Sequence, residues 1–174
     1  MNKCKRNFNL QTGNKNPLLR QKSISITRYD DELKIFCDNL CSLMEQYDWI
    51  GLAAPQVWYN RKVICVSQWY YKWQEWNIYD KIIMINPVVV YSSKQKEVDF
   101  EWCLSLPGVE MEVPRSKKIT VSYFDVSWKK RQINATWLNA RIILHEIDHI
   151  KWILFPDRAI NSNPKIDINK LVNT

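Results

Sequence analysis

The segment TWLNARIILHEIDHIK, Thr136 to Lys151, decides how this chain is read. Thr136 can cap a helix, and Leu138, Ile142, His145 and His149 recur along one side of it. The spacing predicts a helix from Thr136 to about Lys151. Inside it lies H-E-x-x-H. Residues four apart share a helix face, so His145 and His149 can reach one metal ion. Glu146 stands beside them, able to take a proton from water on that ion. The chain has only these two histidines. Catalytic sites of this kind have three protein ligands and an open position. Cys103, at the head of the turn-like segment LSLPG, is the best third candidate; the competing reading is a buried core thiol.

Outward from that helix, the pattern is mixed. Thr27 to Tyr47 reads as a second helix, with Leu33, Phe36, Leu40, Met44 and Tyr47 on one face and Asp30 or Thr27 as cap. Cys37 and Cys41 share part of that face and read as small core residues. Lys62–Ser67, Lys81–Asn86 and Val88–Tyr91 are short β-like runs, and residues 68–80, QWYYKWQEWNIYD, fit no period and read as a loop. Lys118–Phe124 alternates like a half-buried strand, and Arg131–Asn134 can pair with it across Ser127–Lys130. Several strands with one early and one late helix argue an α+β fold in a single domain. Residues 1–22 read as a loosely ordered arm, 23–160 as the domain and 161–174 as a short polar tail.

The composition bounds the setting. The chain has 174 residues, enough for one domain with its own core. No apolar run approaches the roughly 20 residues of a membrane helix, and the polar N-terminus has no secretory h-region. A cytoplasmic protein is expected, so the five cysteines read as thiols rather than a disulfide framework. The net charge of +7 fits either a solvated lysine-rich surface or anionic surroundings such as the ribosome. No basic run interleaves with aromatics, so direct nucleic-acid readout is not expected. Two counts are unusual: three glycines and nine tryptophans.

Three segments together resemble the peptide deformylases, metallohydrolases that remove formyl from the N-terminal methionine of new polypeptides. The family's G-φ-G-φ-A-A-P-Q (φ apolar) appears as Trp49-Ile50-Gly51-Leu52-Ala53-Ala54-Pro55-Gln56. Its E-G-C-L-S appears as Glu101-Trp102-Cys103-Leu104-Ser105, and its H-E-x-D-H as His145 to His149, followed by Phe155, Asp157 and Arg158 in family-like places. H-E-x-x-H alone is shared by many metalloproteases; the three motifs in this order are far more specific. The resemblance spans about Pro17 to Ile160. It implies strands, antiparallel or mixed, wrapped around a central helix carrying H-E-x-x-H. It implies one divalent ion on Cys103, His145 and His149, with Fe(II) the first expectation and Zn or another divalent ion the alternative. Glu146 would shuttle the proton, and the Gln56 side-chain amide and Leu104 backbone N–H would face the developing oxyanion. Glu101 and Arg115 would form a supporting ion pair. Ile50 and Ile142 would line the methionine pocket, and Gly51 would let the substrate backbone approach. The implied substrate is an N-formylmethionyl nascent peptide, met near the ribosome. The family often has Gln before H-E, where this chain has Leu144.

The tryptophans are the main departure. Trp49, Trp58, Trp102, Trp137 and Trp152 occupy glycine places of the family pattern, and Trp128 sits where a hairpin turn calls for glycine. Trp69, Trp73 and Trp76 crowd a segment where glycine is ordinary. The two residues have opposed steric demands. Three glycines and nine tryptophans together make the roughly 12 glycines that about 7% usage would give. A UGA codon, read as tryptophan in some genetic codes and glycine in others, accounts for the pattern. The alternative is a remodelled, inactive relative, for instance a binder of ribosomes or nascent chains. A broader H-E-x-x-H peptidase is a third reading, disfavoured by Cys103 and Gln56, which suit a small formyl group.

Overall fold

The computed structural model describes residues 9–72 and 75–160, with backbone pairing alone for 70–72 and 75–79. Helix α1 runs Asp31–Gln46, and Asp30, not Thr27, caps it: the Asp30 carboxylate accepts from the Leu33 N–H. Leu33, Phe36, Cys37, Leu40 and Met44 form its buried face. Seven strands follow: β1 Gly51–Ala53, β2 Val63–Lys72, β3 Glu75–Ser92, β4 Lys96–Cys103, β5 Leu106–Ser116, β6 Lys118–Phe124 and β7 Lys130–Thr136. Helix α2 runs Trp137–His149. The order β1-β2-β3-β6-β7 makes one antiparallel sheet, and β4 with β5 makes a separate hairpin. This is a single α+β domain with mostly antiparallel strands and two helices.

The alternation of β2 and β3 explains how the sheet lies between the helices. Val63, Cys65, Ile83 and Ile85 pack with α1. Ile64, Val66 and Met84 point the other way, onto Ala140, Ile143, Ile147 and Ile150 of α2 and its end. Side chains alternate faces along a strand, so each run serves two cores at once.

Within the segment 68–80, expected as a loop, residues 68–72 and 75–80 instead continue β2 and β3 as paired strands: Gln68 pairs with Asp80, Trp69 with Ile78 and Lys72 with Glu75. The pairing is supplied by the partner strand, which a single-chain period does not record. Trp73 lies outside the described residues. Lys81–Asn86 and Val88–Tyr91 are one strand, bent at Asn86, whose φ is 51°. The ladder shifts there, and Pro87, which has no N–H to donate, sits at the irregularity. Upstream of the bend β3 pairs with β2; downstream it pairs with β6.

The expected loose arm does not describe residues 9–22. The Gln11 N–H donates to the Gln56 carbonyl at 2.7 Å, the Gly13 N–H donates to Ser105 O at 2.9 Å, and Leu19 is fully buried. Leu19 joins Cys103, Leu106, Val109, Met111, Val113, Leu154 and Phe155 in a third core cluster. That cluster ties the arm to the β4–β5 hairpin. Residues 1–8 and the expected tail, 161–174, lie outside the described residues. Among the described residues no helix is long and apolar enough to cross a membrane.

Candidate metal centre and active site

Three elements converge on one place. Helix α2 brings His145, Glu146 and His149; β4 ends on Cys103; and the 3₁₀ turn at Ala54–Val57 brings Gln56. Cys103 and His149 are buried at 3% and 2% exposure. The Cys103 sulfur and one nitrogen from each imidazole all lie within 4.8 Å of one another. Sγ of Cys103 is 3.3 Å from Nε2 of His149.

The donor set fits a divalent ion. Nδ1 of His145 contacts the Glu101 carboxylate at 2.8 Å, which fixes the ring and turns its other nitrogen to the site. Burial holds His149 well below the usual imidazole range, leaving it a neutral donor. Burial also lowers His145, but hydrogen bonds to Cys103 and Glu101 outweigh it and raise the ring well above its ordinary value. A soft thiolate with two imidazoles suits Fe(II) or Zn rather than Mg or Ca.

Glu146 is 3% exposed, and its Oε2 is buried with no hydrogen-bond partner. Burial pushes its carboxyl up to about 7. A buried carboxyl with an open oxygen and a pKa near neutrality is suited to taking and returning a proton. Gly51 makes room for it. A Cβ built on Gly51 would lie 2.5 Å from Oε1 of Glu146. The structural demand at residue 51 is therefore the Glu146 side chain.

Gln56 is 1% exposed and held at both ends of its amide. Its Oε1 accepts from the Ala53 N–H at 2.8 Å, which aims Nε2 at Oγ of Ser105, 3.0 Å away, and Sγ of Cys103, 3.4 Å away. Leu104 lies in the turn between β4 and β5, and its side chain packs against the α1 cluster. Any role beside the metal falls to its backbone.

A cleft of about 300 Å³ opens beside His145 and Glu146. Ile50 and Ile142 line it, together with Leu138, which sequence reasoning took only as part of a helix face. Trp49 and Trp102 also stand in its wall.

Behind the site is a buried ionic network of which the sequence disclosed one pair. Arg115 donates to Glu101 through Nε at 2.8 Å and Nη2 at 2.9 Å, with both side chains at most 5% exposed. Burial alone would raise Glu101; the Arg115 and His145 contacts instead hold it well below the carboxylate range. Arg115 also reaches Asp148, which accepts from Arg158 Nη2 at 2.7 Å as well. Arg141 was missed. Its Nη1 donates to Glu101 and to the Val113 carbonyl, each at 2.9 Å, and its Nη2 donates to the Glu97 carbonyl at 2.9 Å. The available signal was a charge inside the apolar part of α2.

The family described as "Polypeptide deformylase" matches residues 10–165. A peptide deformylase of Natranaerobius thermophilus is 38% identical over 146 residues, covering 84% of this chain and 88% of the relative. The structure of a peptide deformylase from Synechococcus elongatus in complex with actinonin superposes with a TM-score of 0.81 at 33% identity, covering 96% of this chain and 86% of that one. A probable peptide deformylase from Synechococcus phage S-SSM7 gives 0.78 at 35% identity, covering 87% of this chain and 99% of that one. With the matching profile spanning most of the chain, it belongs to the peptide deformylase family.

Proposed function

We propose that this chain is a metal-dependent hydrolase that removes the formyl group from the N-terminal formylmethionine of newly made polypeptides and releases formate. The observation that carries this reading is the meeting of one sulfur and two imidazole nitrogens within 4.8 Å, beside a buried Glu146 with an unpartnered oxygen. Cys103, His145 and His149 would hold one divalent ion, Fe(II) first and Zn or another divalent ion otherwise. When bound, the ion supplies the Lewis acidity that makes water a nucleophile near neutral pH.

The chain's own groups do the rest. Glu146 takes the water proton on one oxygen and passes it to the departing amine nitrogen. Gln56 Nε2 and the Leu104 N–H stand as donors for the oxygen on which charge develops; removing one such donor elsewhere costs about 10²–10³ in rate. The Ala53–Gln56 hydrogen bond fixes the amide beforehand, so little reorganisation is needed. Ile50 and Ile142 form the apolar wall for the methionine side chain. Glu101 orients His145, and Arg115 holds Glu101. In the proposed architecture the strands wrap the helix that carries H-E-x-x-H. The positive charge supports a cytoplasmic enzyme working close to the ribosome.

The test is formate release from formyl-methionyl peptides by protein loaded with Fe(II) under anaerobic conditions, with acetyl-methionyl peptides as control. Turnover restricted to the formyl substrate is expected. Metal-loaded, folded protein that releases no formate would overturn the reading.

A further inference from the structure

We infer that the protein made by the cell carries glycine at all nine tryptophan positions, because at four of them the backbone has the geometry of glycine. Among the described residues, six that are not glycine have positive φ. Two are Asp48 and Asn86, types whose short polar side chains tolerate that region. The other four are Trp58 at 66°, Trp128 at 57°, Trp137 at 52° and Trp152 at 55°. Only two glycines, Gly13 and Gly108, adopt positive φ. The left-handed positions of this fold are thus filled more often by its bulkiest side chain than by glycine. A bulky residue there is an outlier even once.

The local hydrogen bonds identify three of the four as standard glycine sites. After α2, the Ile153 N–H donates to Asp148 O at 3.0 Å and the Trp152 N–H donates to His149 O at 3.2 Å. That pair of bonds is the Schellman ending, whose left-handed residue, here Trp152, is usually glycine. Trp58 follows the 3₁₀ turn in the left-handed conformation, with ψ at 15°. In the β6–β7 hairpin the Trp128 N–H closes a turn onto Asp125 O at 2.9 Å, and Asp125 and Lys129 continue the ladder. Trp128 takes the left-handed place that follows such a turn.

The side chains do little to justify these backbones. Trp58, Trp137 and Trp152 are 63%, 52% and 42% exposed. Trp102 is 55% exposed on the cleft wall. Trp69 buries its indole N–H with no partner, although a buried Trp N–H normally finds one. Trp128 does stack on Phe124, with centroids 4.8 Å apart, yet still at positive φ. A single codon reassignment, UGA read as glycine, moves all nine positions together and leaves every proposed site residue unchanged. It also removes two indoles, at 49 and 102, from the wall beside Glu146.

Peptide mass spectrometry of the protein isolated from the cells that make it decides the matter without reference to activity. Glycine at 58, 102, 128, 137 and 152 is expected, from UGA codons; tryptophan at any of them, or a UGG codon at any of the nine, overturns the inference. Recombinant chains give a second reading. The nine-site glycine chain should melt higher than the tryptophan chain by on the order of 10 °C or more, from four relieved left-handed positions. An equal or lower midpoint for the glycine chain would count equally against it. A well-folded glycine chain that releases no formate would instead strike at the proposed reaction.

Discussion

Replacing Gly51 by alanine should separate catalysis from metal binding. The new Cβ would sit 2.5 Å from Oε1 of Glu146 and 3.0 Å from its Cδ and Cγ. Restoring ordinary contact requires Glu146 to retreat by about 1 Å, and a misplacement of that size can cost on the order of 10²-fold in rate. The backbone cannot easily give way instead. Gly51 is paired to Val66 within the sheet, and Leu52 and Ala53 beside it are fully buried. We expect kcat for formate release to fall about 10²-fold, within the 10²–10⁴ attributed to a positioned proton carrier. Overpacking should cost about 1–3 kcal/mol of stability. Metal content should hold at one per chain, since the three atoms nearest the added methyl all belong to Glu146. The assay is steady-state formate release, paired with metal analysis of the same preparation, in whichever form of the chain turns over. A G51A enzyme with kcat within a few-fold of its parent would refute the placement of Glu146. Loss of metal in step with activity would refute the separation of the two.

Further outcomes follow from the same geometry. Cys103→Ala should leave a folded protein that retains little metal after dialysis, measured by elemental analysis; full retention would remove Cys103 from the ligand set. Arg141→Met should remove one donor from Glu101, which Arg115 still holds, and leave the Val113 and Glu97 carbonyls without theirs, costing about 1–3 kcal/mol by denaturant unfolding; metal affinity should fall about 10-fold as the Glu101 partner of His145 is held less firmly. In chelated protein the Glu146 carboxyl titrates near 7 against an ordinary 4.5, so its folded value is raised. Its contribution is therefore complete below about pH 4.5 and lost as pH rises through 7, about 3 kcal/mol in all; Glu146→Gln should flatten the fall in melting temperature over that window.

The parts of this fold legible in its residues are those whose determinants are local. The α1 face, the β6–β7 hairpin and the helix with H-E-x-x-H each follow from spacing within one segment. The residues missed depend on partners far along the chain. Residues 68–80 show no period of their own, yet cross-strand hydrogen bonds make 68–72 and 75–80 β. Strand β5 does alternate at Val109, Met111 and Val113, but Pro107 and Pro114 disguise it, and the next buried place is taken by the charged Arg115. In the site, the motifs marked the proposed ligands and, as a motif letter, Asp148. They did not mark Arg141, and the ionic contacts of both Arg141 and Asp148 arise only when β4, β5 and α2 come together.

That dependence says what gives the site its precision. The presumptive ligands stand on two elements that share no backbone pairing: Cys103 at the end of a two-stranded hairpin and the histidines on α2. Apolar packing alone would let the hairpin slide by fractions of an ångström. The buried ions do not, because guanidinium and carboxylate geometry is directional. Arg115 and Arg141 both grip Glu101 on β4, Arg141 also holds carbonyls of β4 and β5 from its place on α2, and Arg115 joins β5 to Asp148 of α2. Three guanidiniums, with Arg158, face two carboxylates there. One buried network thus registers the hairpin on the helix and orients His145 through Glu101. Exchanging either arginine for lysine keeps the charge but loses the fork, so the conservative change should loosen metal binding while leaving the fold in place.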